Sequence, residues 1–360
     1  MVQNTQLYWA LQNTWRYPTA QKYVARLLEE APEAQAPLKG QLAVLTNVTK
    51  GGSSYFVAEE LAVTVGMHIM LLGRNLQKLK AIEESIRRTV LQRRQGKEDA
   101  QPVKIYKIKY ECDSILSVLE AADAVKSIAQ EHYQGKVHIL IHNPPGVSGT
   151  YATTEDGVEV NMGRNFVAPH LLTEQLLPQL KEAATTDHKP RIVNVSSVGH
   201  CQGTDFDPER FLEIPEEGGA PEGTFRDHVA GEEEEEERDK VYVKGIDAAI
   251  QMYYRSKYAL IADTIALSKE EPSLAVTSLY PGSVVNKNNK SQGIAGAVYQ
   301  TGFYMFNLNP TQGARASLRA ALDPDFNTME SLQGCYLHCD GNPWTVANPT
   351  VEDPETDVSY

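Results

Sequence analysis

Between Gln41 and Leu140 the chain alternates short apolar, β-rich runs with longer helical patterns, and this alternation constrains the fold more than any other feature. Leu42-Ala43-Val44-Leu45-Thr46 is followed by a turn and a helical stretch through Val57, Leu61 and Val65. A second apolar run, Met67 to Leu72, leads into a periodic segment from Leu76 to Leu91. Val103 to Ile108 and Val137 to Ile141 read as a third and a fourth strand, separated by a helix from Ile115 to Ile128. Strands joined through helices pair in parallel by right-handed crossovers. Further strands are expected at Arg191 to Val195, at Leu274 to Leu279 and near Cys335 to Leu337. The expected fold is α/β: a single doubly wound, Rossmann-type parallel sheet with helices on both faces and ligands at the carboxyl ends of the strands.

At 360 residues and 41% hydrophobic content, the chain suits one large α/β domain with extensions. The boundaries are read as an N-terminal helical extension over 1–39, the sheet domain over 40–345 and a C-terminal tail over 346–360. The net charge of −13 is local: from Asp205 to Lys240 there are 15 acids and 4 bases, a charge of −11, which leaves −2 for the rest. That stretch, with Glu232 to Glu237 at its heart, is expected to be a solvated acidic loop insert at about 205–240. No basic cluster suggests nucleic acid, and no apolar run reaches the roughly 18 residues of a membrane helix. Cys112, Cys201, Cys335 and Cys339 lack a disulfide framework spacing, which points to reduced thiols and a cytoplasmic setting. The acid-free first 28 residues are also compatible with an organelle transit segment, although Trp9 and Trp15 fit a docked helix better. Cys335-x3-Cys339 with His338 offers too few ligands for a metal site.

Tyr253 and Lys257 are four residues apart, and on a helix they share a face. An ammonium beside a phenol is expected to pull its pKa down from about 10. Such a pair can move a proton to or from a carbonyl or alcohol oxygen while a hydride moves at carbon. Tyr254, one residue on, points about 100° away. After the first strand, Thr46-Asn47-Val48-Thr49-Lys50-Gly51-Gly52-Ser53-Ser54 enters a helix, a place where backbone amides receive a pyrophosphate. Arg74, at the end of the second strand, offers a fork for a ribose 2′-phosphate where an acid would favour NAD(H). Asp113, after the third strand, either caps the next helix or accepts from an adenine amine.

Together these features resemble the short-chain dehydrogenase/reductase family, especially its retinol-dehydrogenase-like branch, over about residues 40 to 355. Arg191-Ile192-Val193-Asn194-Val195-Ser196-Ser197 is similar to the fifth strand with its active-site serine, matched by Ser197, while Ser196 points into the core. Asn161, followed by Phe166-Val167-Ala168-Pro169-His170-Leu171-Leu172-Thr173, resembles the segment bearing the active-site asparagine. Pro281-Gly282 is similar to the nicotinamide-side turn, and Thr311-Gln312-Gly313-Ala314 and Gly334-Cys335-Tyr336 resemble motifs of the branch. The sequence departs from the family at several places. Asn47 replaces the first glycine of the TGxxxGxG turn, where Gly51 and Ser53, or Gly52 and Ser54, fill the later positions. His142-Asn143-Pro144-Pro145-Gly146 stands for NNAG, and Asn286 for a threonine.

The resemblance implies an NADP(H)-dependent oxidoreductase, with NAD(H) the less favoured cofactor. Its substrate is a small apolar carbonyl or alcohol of retinoid, steroid or lipid-aldehyde type. Asn161, Ser197, Tyr253 and Lys257 would be catalytic. Thr46, Asn47, Gly51, Gly52, Ser53, Arg74, Asp113, Asn143, Tyr253, Lys257, Pro281 and Gly282 would hold cofactor. Assembly as a homodimer or homotetramer is compatible with it. The degenerate glycine turn and acidic insert motivate another reading, a nucleotide-binding pseudoenzyme or redox-sensing scaffold.

Overall fold

The computed structural model describes residues 24, 27, 36–94, 102–149, 151–202, 232–284, 308–339 and 341–344, with the backbone alone over 232–247. Among the described residues eight strands form one sheet: β1 (Leu42–Thr46), β2 (His68–Gly73), β3 (Ile105–Lys109), β4 (Ile139–His142), β5 (Arg191–Val195), β6 (Ala275–Leu279), β7 (Tyr336–Leu337) and β8 (Pro343–Trp344). Their order is β3-β2-β1-β4-β5-β6-β7-β8. Every pair is parallel except β7 with β8, an antiparallel edge rung of two residues that the strand pattern did not announce. The order reverses between β1 and β4, which opens a crevice at their carboxyl ends.

Alternation along each strand divides the core. Ala43 and Leu45 of β1 pack on one face, with Val193 and Val195 of β5, against α1 (Ser53–Glu60), α2 (Leu76–Arg94) and α6 (Pro310–Leu322). Leu42, Val44 and Ile192 point to the other face, against α3 (Ile115–Tyr133) and α4 (Ala168–Ala183). All five residues of β1 are buried, as expected for a central strand covered on both sides. The edge strand β3 buries only two of its five.

One boundary expectation changes. Glu232 to Glu237 are not loop: α5 runs from Glu232 to Glu270, so the acidic stretch ends inside a helix of 39 residues. Glutamate is a good helix former, and acids at a helix N-terminus complement its dipole, which offsets the mutual repulsion that favoured a loop. The rest of the insert, like Asn286, lies outside the described residues. Of the N-terminal extension, Val24 and Leu27 are helical and buried, three residues apart and so on one face. No helix among the described residues is long and apolar enough to cross a membrane.

Candidate active site

The turn after β1 fills the glycine positions of the TGxxxGxG turn by other means. Asn47 takes a left-handed φ of 52°, and its N–H donates to the Leu72 carbonyl at 2.8 Å. Asparagine tolerates this conformation better than other side chains, so the substitution for glycine leaves the turn's path intact. Gly51 follows at φ 75°, with open space where a Cβ would stand. Gly52 is the extended N-cap of α1, and no side chain caps that helix. An uncapped helix N-terminus behind a left-handed glycine fits the pyrophosphate of a dinucleotide. Thr46 Oγ1 accepts from the Asn143 N–H at 3.0 Å, and Asn143 Nδ2 donates to the Asn47 carbonyl at 3.4 Å. Those two bonds stitch β1 to β4 at the crevice. On its far side, Gly313 of α6 approaches so closely that a Cβ there would stand 2.6 Å from Ser53 Oγ and overlap Val284. Pro281-Gly282 follows β6, with Gly282 at φ 88°.

Arg74 stands exposed after β2. Asp113 does not cap α3: Ser114 is the N-cap, accepting from the Ser117 N–H at 3.3 Å. Both carboxylate oxygens of Asp113 are instead held by the guanidinium of Arg164. The shorter serine, one residue later, reaches the helix amides that Asp113 turns away from.

Tyr253, Ser197 and Lys257 converge where α5 crosses the end of β5. Burial raises the Tyr253 pKa above its usual value; a hydrogen bond from Ser197 opposes that rise, and neighbouring Tyr254 adds to it. The expected lowering by Lys257 is absent. Its Nζ lies 5.7 Å from the centroid of the Tyr253 ring and donates to the Val195 carbonyl at 3.3 Å. Burial alone pushes the Lys257 ammonium down to about 7, so near neutrality its charge is partly lost. Ser196 is buried, as expected, and its hydroxyl donates to the Lys257 carbonyl at 2.9 Å, pinning α5 to β5. Gly199 lets the tyrosines approach: a Cβ there would stand 2.8 Å from Tyr254 Cδ1 and 3.3 Å from Tyr253 Cε1.

The asparagine needs a correction. Asn161 is fully buried and all of its polar atoms are engaged. Its Nδ2 donates to Glu159 Oε1 at 3.0 Å, to the Ala249 carbonyl at 3.1 Å and to the Ser148 carbonyl at 3.3 Å. Its Oδ1 accepts from the Ser148 N–H at 2.6 Å. Thus committed, Asn161 clamps a loop to α5. Asn165, four residues on in a π-helical turn over Gly163–Val167, is brought to the Tyr253–Lys257 helix instead. Its Nδ2 donates to Ser256 Oγ and to the Gly146 carbonyl, each at 3.1 Å, while Oδ1 is buried without a partner among the described residues. The signal was in the sequence: Asn165 directly precedes the Phe166 to Thr173 run that carried the resemblance.

A parallel sheet of this order, with a serine, a tyrosine and a lysine meeting beyond β5, defines a Rossmann-type dehydrogenase architecture. No family model matches the chain. Among known proteins it is 28% identical over 307 residues to an uncharacterized oxidoreductase of Schizosaccharomyces pombe, covering 83% of this chain and 77% of that one. It is 32% identical over 203 residues to retinol dehydrogenase 11 of Mus musculus, covering 56% of this chain and 52% of that one. In structure it is similar to L-sorbose reductase from Gluconobacter frateurii, solved with NADPH and L-sorbose. The TM-score is 0.57 at 15% identity, covering 86% of this chain and 98% of that one. By sequence the chain is similar to oxidoreductases, retinol dehydrogenases among them, and its fold is that of solved short-chain dehydrogenases/reductases.

Proposed function

We propose that the chain is an NADP(H)-dependent oxidoreductase that interconverts a carbonyl and an alcohol on a small apolar molecule of retinoid, steroid or lipid-aldehyde type. The observation that carries this reading is the convergence of three side chains: the buried Lys257 ammonium lies 5.7 Å from the centroid of the Tyr253 ring, and Ser197 at the end of β5 opposes the rise of the tyrosine's pKa. When bound, the dinucleotide supplies or accepts the hydride. The chain's own residues then handle the oxygen. Ser197 donates to the carbonyl oxygen and fixes its position. Tyr253 gives that oxygen its proton in reduction and takes it back in oxidation. Lys257, titrating near neutrality, replenishes the proton of Tyr253 and holds the nicotinamide ribose. Asn165, in place of Asn161, has an unpartnered carbonyl oxygen fitted to orient a water in that relay.

On the cofactor side, Thr46 and Asn143 brace the turn, while Asn47, Gly51, Gly52 and Ser53 give it the shape a pyrophosphate requires. Arg74 is exposed at the β2 end, where a ribose 2′-phosphate needs a fork. The NADPH in the solved L-sorbose reductase and the retinol in a relative's name support the cofactor and substrate class. Four free cysteines suit a reducing, cytoplasmic setting.

Fluorescence titration with NADPH and NADH, followed by turnover of a panel of apolar aldehydes and ketones, tests this reading. NADPH binding with turnover is expected. Binding without turnover would point to the nucleotide-binding scaffold, and absence of both would end the cofactor reading.

A further inference from the structure

We propose that His200 is a positioning residue for Ser197, acting through the serine's own peptide group; this rests on the role given to Ser197 above. His200 is 2% exposed, three residues past the serine in a 3-10 turn over Val198–Gln202. Its Nδ1 lies 2.7 Å from the Ser197 carbonyl oxygen. A carbonyl can only accept, so Nδ1 carries the hydrogen and Nε2 is left as an acceptor. Nε2 faces Cys201 Sγ at 3.4 Å. Burial keeps that thiol protonated, so its S–H can donate to the ring. The ring is also fixed from the side. It stands edge-on to Tyr336 of β7, with centroids 4.8 Å apart and an interplanar angle of 68°. Burial lowers the imidazole's own pKa, which keeps the ring neutral and in this tautomer at neutral pH.

This arrangement aims the serine. The Ser197 carbonyl accepts from both the His200 ring and the His200 N–H, the latter at 3.2 Å. Those bonds fix the turn that directs the Gly199 N–H onto Ser197 Oγ at 3.1 Å. With that lone pair engaged, the hydroxyl proton points away from Gly199, toward Tyr253 and the cleft. His200 touches no reacting atom. It fixes the turn, the turn fixes the Gly199 amide, and the amide fixes the rotamer of the serine hydroxyl.

Three variants of the full chain separate this role from mere packing. His200→Asn places an amide donor where Nδ1 stands, His200→Gln places one where Nε2 stands, and His200→Leu keeps bulk without a donor. The readouts are kcat and KM with a carbonyl substrate, the NADPH Kd and the melting temperature. His200→Gln and His200→Leu should lose about 10- to 100-fold in kcat, the scale of a misplaced catalytic group. Their NADPH Kd should hold within about twofold, and His200→Asn should recover most of the rate. Equal losses in all three, losses that track the melting temperature, or no loss at all would overturn the proposal. Should the wild-type chain turn over no substrate, the catalytic reading fails on its own, and crystal structures of the variants decide the positioning. His200→Asn should keep the Gly199–Ser197 bond and His200→Gln should break it; the reverse, or a bond intact in both, overturns the role.

Discussion

Lys257 faces the ring of Tyr253: the ammonium is 5.7 Å from the ring centroid and bonded to the Val195 carbonyl. Ser197 opposes the rise that burial gives the tyrosine's pKa. Tyr253→Phe removes the proton donor while keeping the ring that covers Lys257. It should lower turnover by about 100- to 10,000-fold, the usual range for a general acid-base group, with NADPH binding nearly unchanged. A variant keeping a tenth of the wild-type rate would show that the proton comes from elsewhere.

Arg74→Ala should weaken NADPH by about 1.5 to 3 kcal/mol, the range for a hydrogen bond to a charged group, and leave NADH almost untouched. Isothermal titration with both cofactors measures this. Equal losses would mean that Arg74 serves the fold and not the phosphate.

The two asparagines should separate. Asn161→Ala strips partners from the buried Glu159 carboxylate and from the backbone of Ser148 and Ala249, so it should cost about 1 to 3 kcal/mol of stability. Asn165→Ala should cost turnover first. Thermal melts and kcat for each variant decide it, and an Asn161→Ala chain that melts normally but is inactive would restore the catalytic role to Asn161.

Gly282→Ala should destabilise the fold. Its φ of 88° is unfavourable for any side chain, and the added Cβ would overlap Leu308 Cδ1 and stand 3.2 Å from Cys339 Cβ. A loss of about 1 to 3 kcal/mol is expected from strain and overpacking. A melting temperature within a degree of wild type would count against the tight approach of Leu308.

Acid should destabilise the chain above the carboxylate range. Burial lowers His138, His188 and His200 to about 4 and His142 to about 3. Below about pH 6.5 the unfolded chain takes up protons that the folded chain refuses, so stability falls as pH drops from about 6.5 to about 4. His170 works in the opposite direction, its pKa raised by Asp263. Urea midpoints at pH 7 and pH 5 should show the net loss, and equal midpoints would mean that the histidines open to solvent.

Much of this was written along the chain. Central parallel strands such as β1 and β2, buried on both faces, read as unbroken apolar runs, and β1 to β7 stand within a residue or two of the strands expected from the sequence. Tyr253 and Lys257 announce one helix face because four residues make about one turn. The Glu232 to Glu237 run was harder, since repulsion and helix propensity pull a polyglutamate segment in opposite directions, and α5 shows that propensity prevailed.

The choice between Asn161 and Asn165 was open to pattern alone only in part. The residues are four apart, and on a regular helix they would share a face. The π turn at Gly163–Val167 alters the helical phase between them, so one amide clamps Ala249 and the other meets Ser256. Sequence by itself determined the sheet, the crossovers and which residue types gather at the strand ends, because apolar burial and helical periodicity are local and additive. Only the tertiary structure decided that Lys257 binds Val195 and that Arg164 holds Asp113. A hydrogen bond needs its donor and acceptor within about 3 Å and in line, and residues far apart in the chain reach that geometry only after the core has packed.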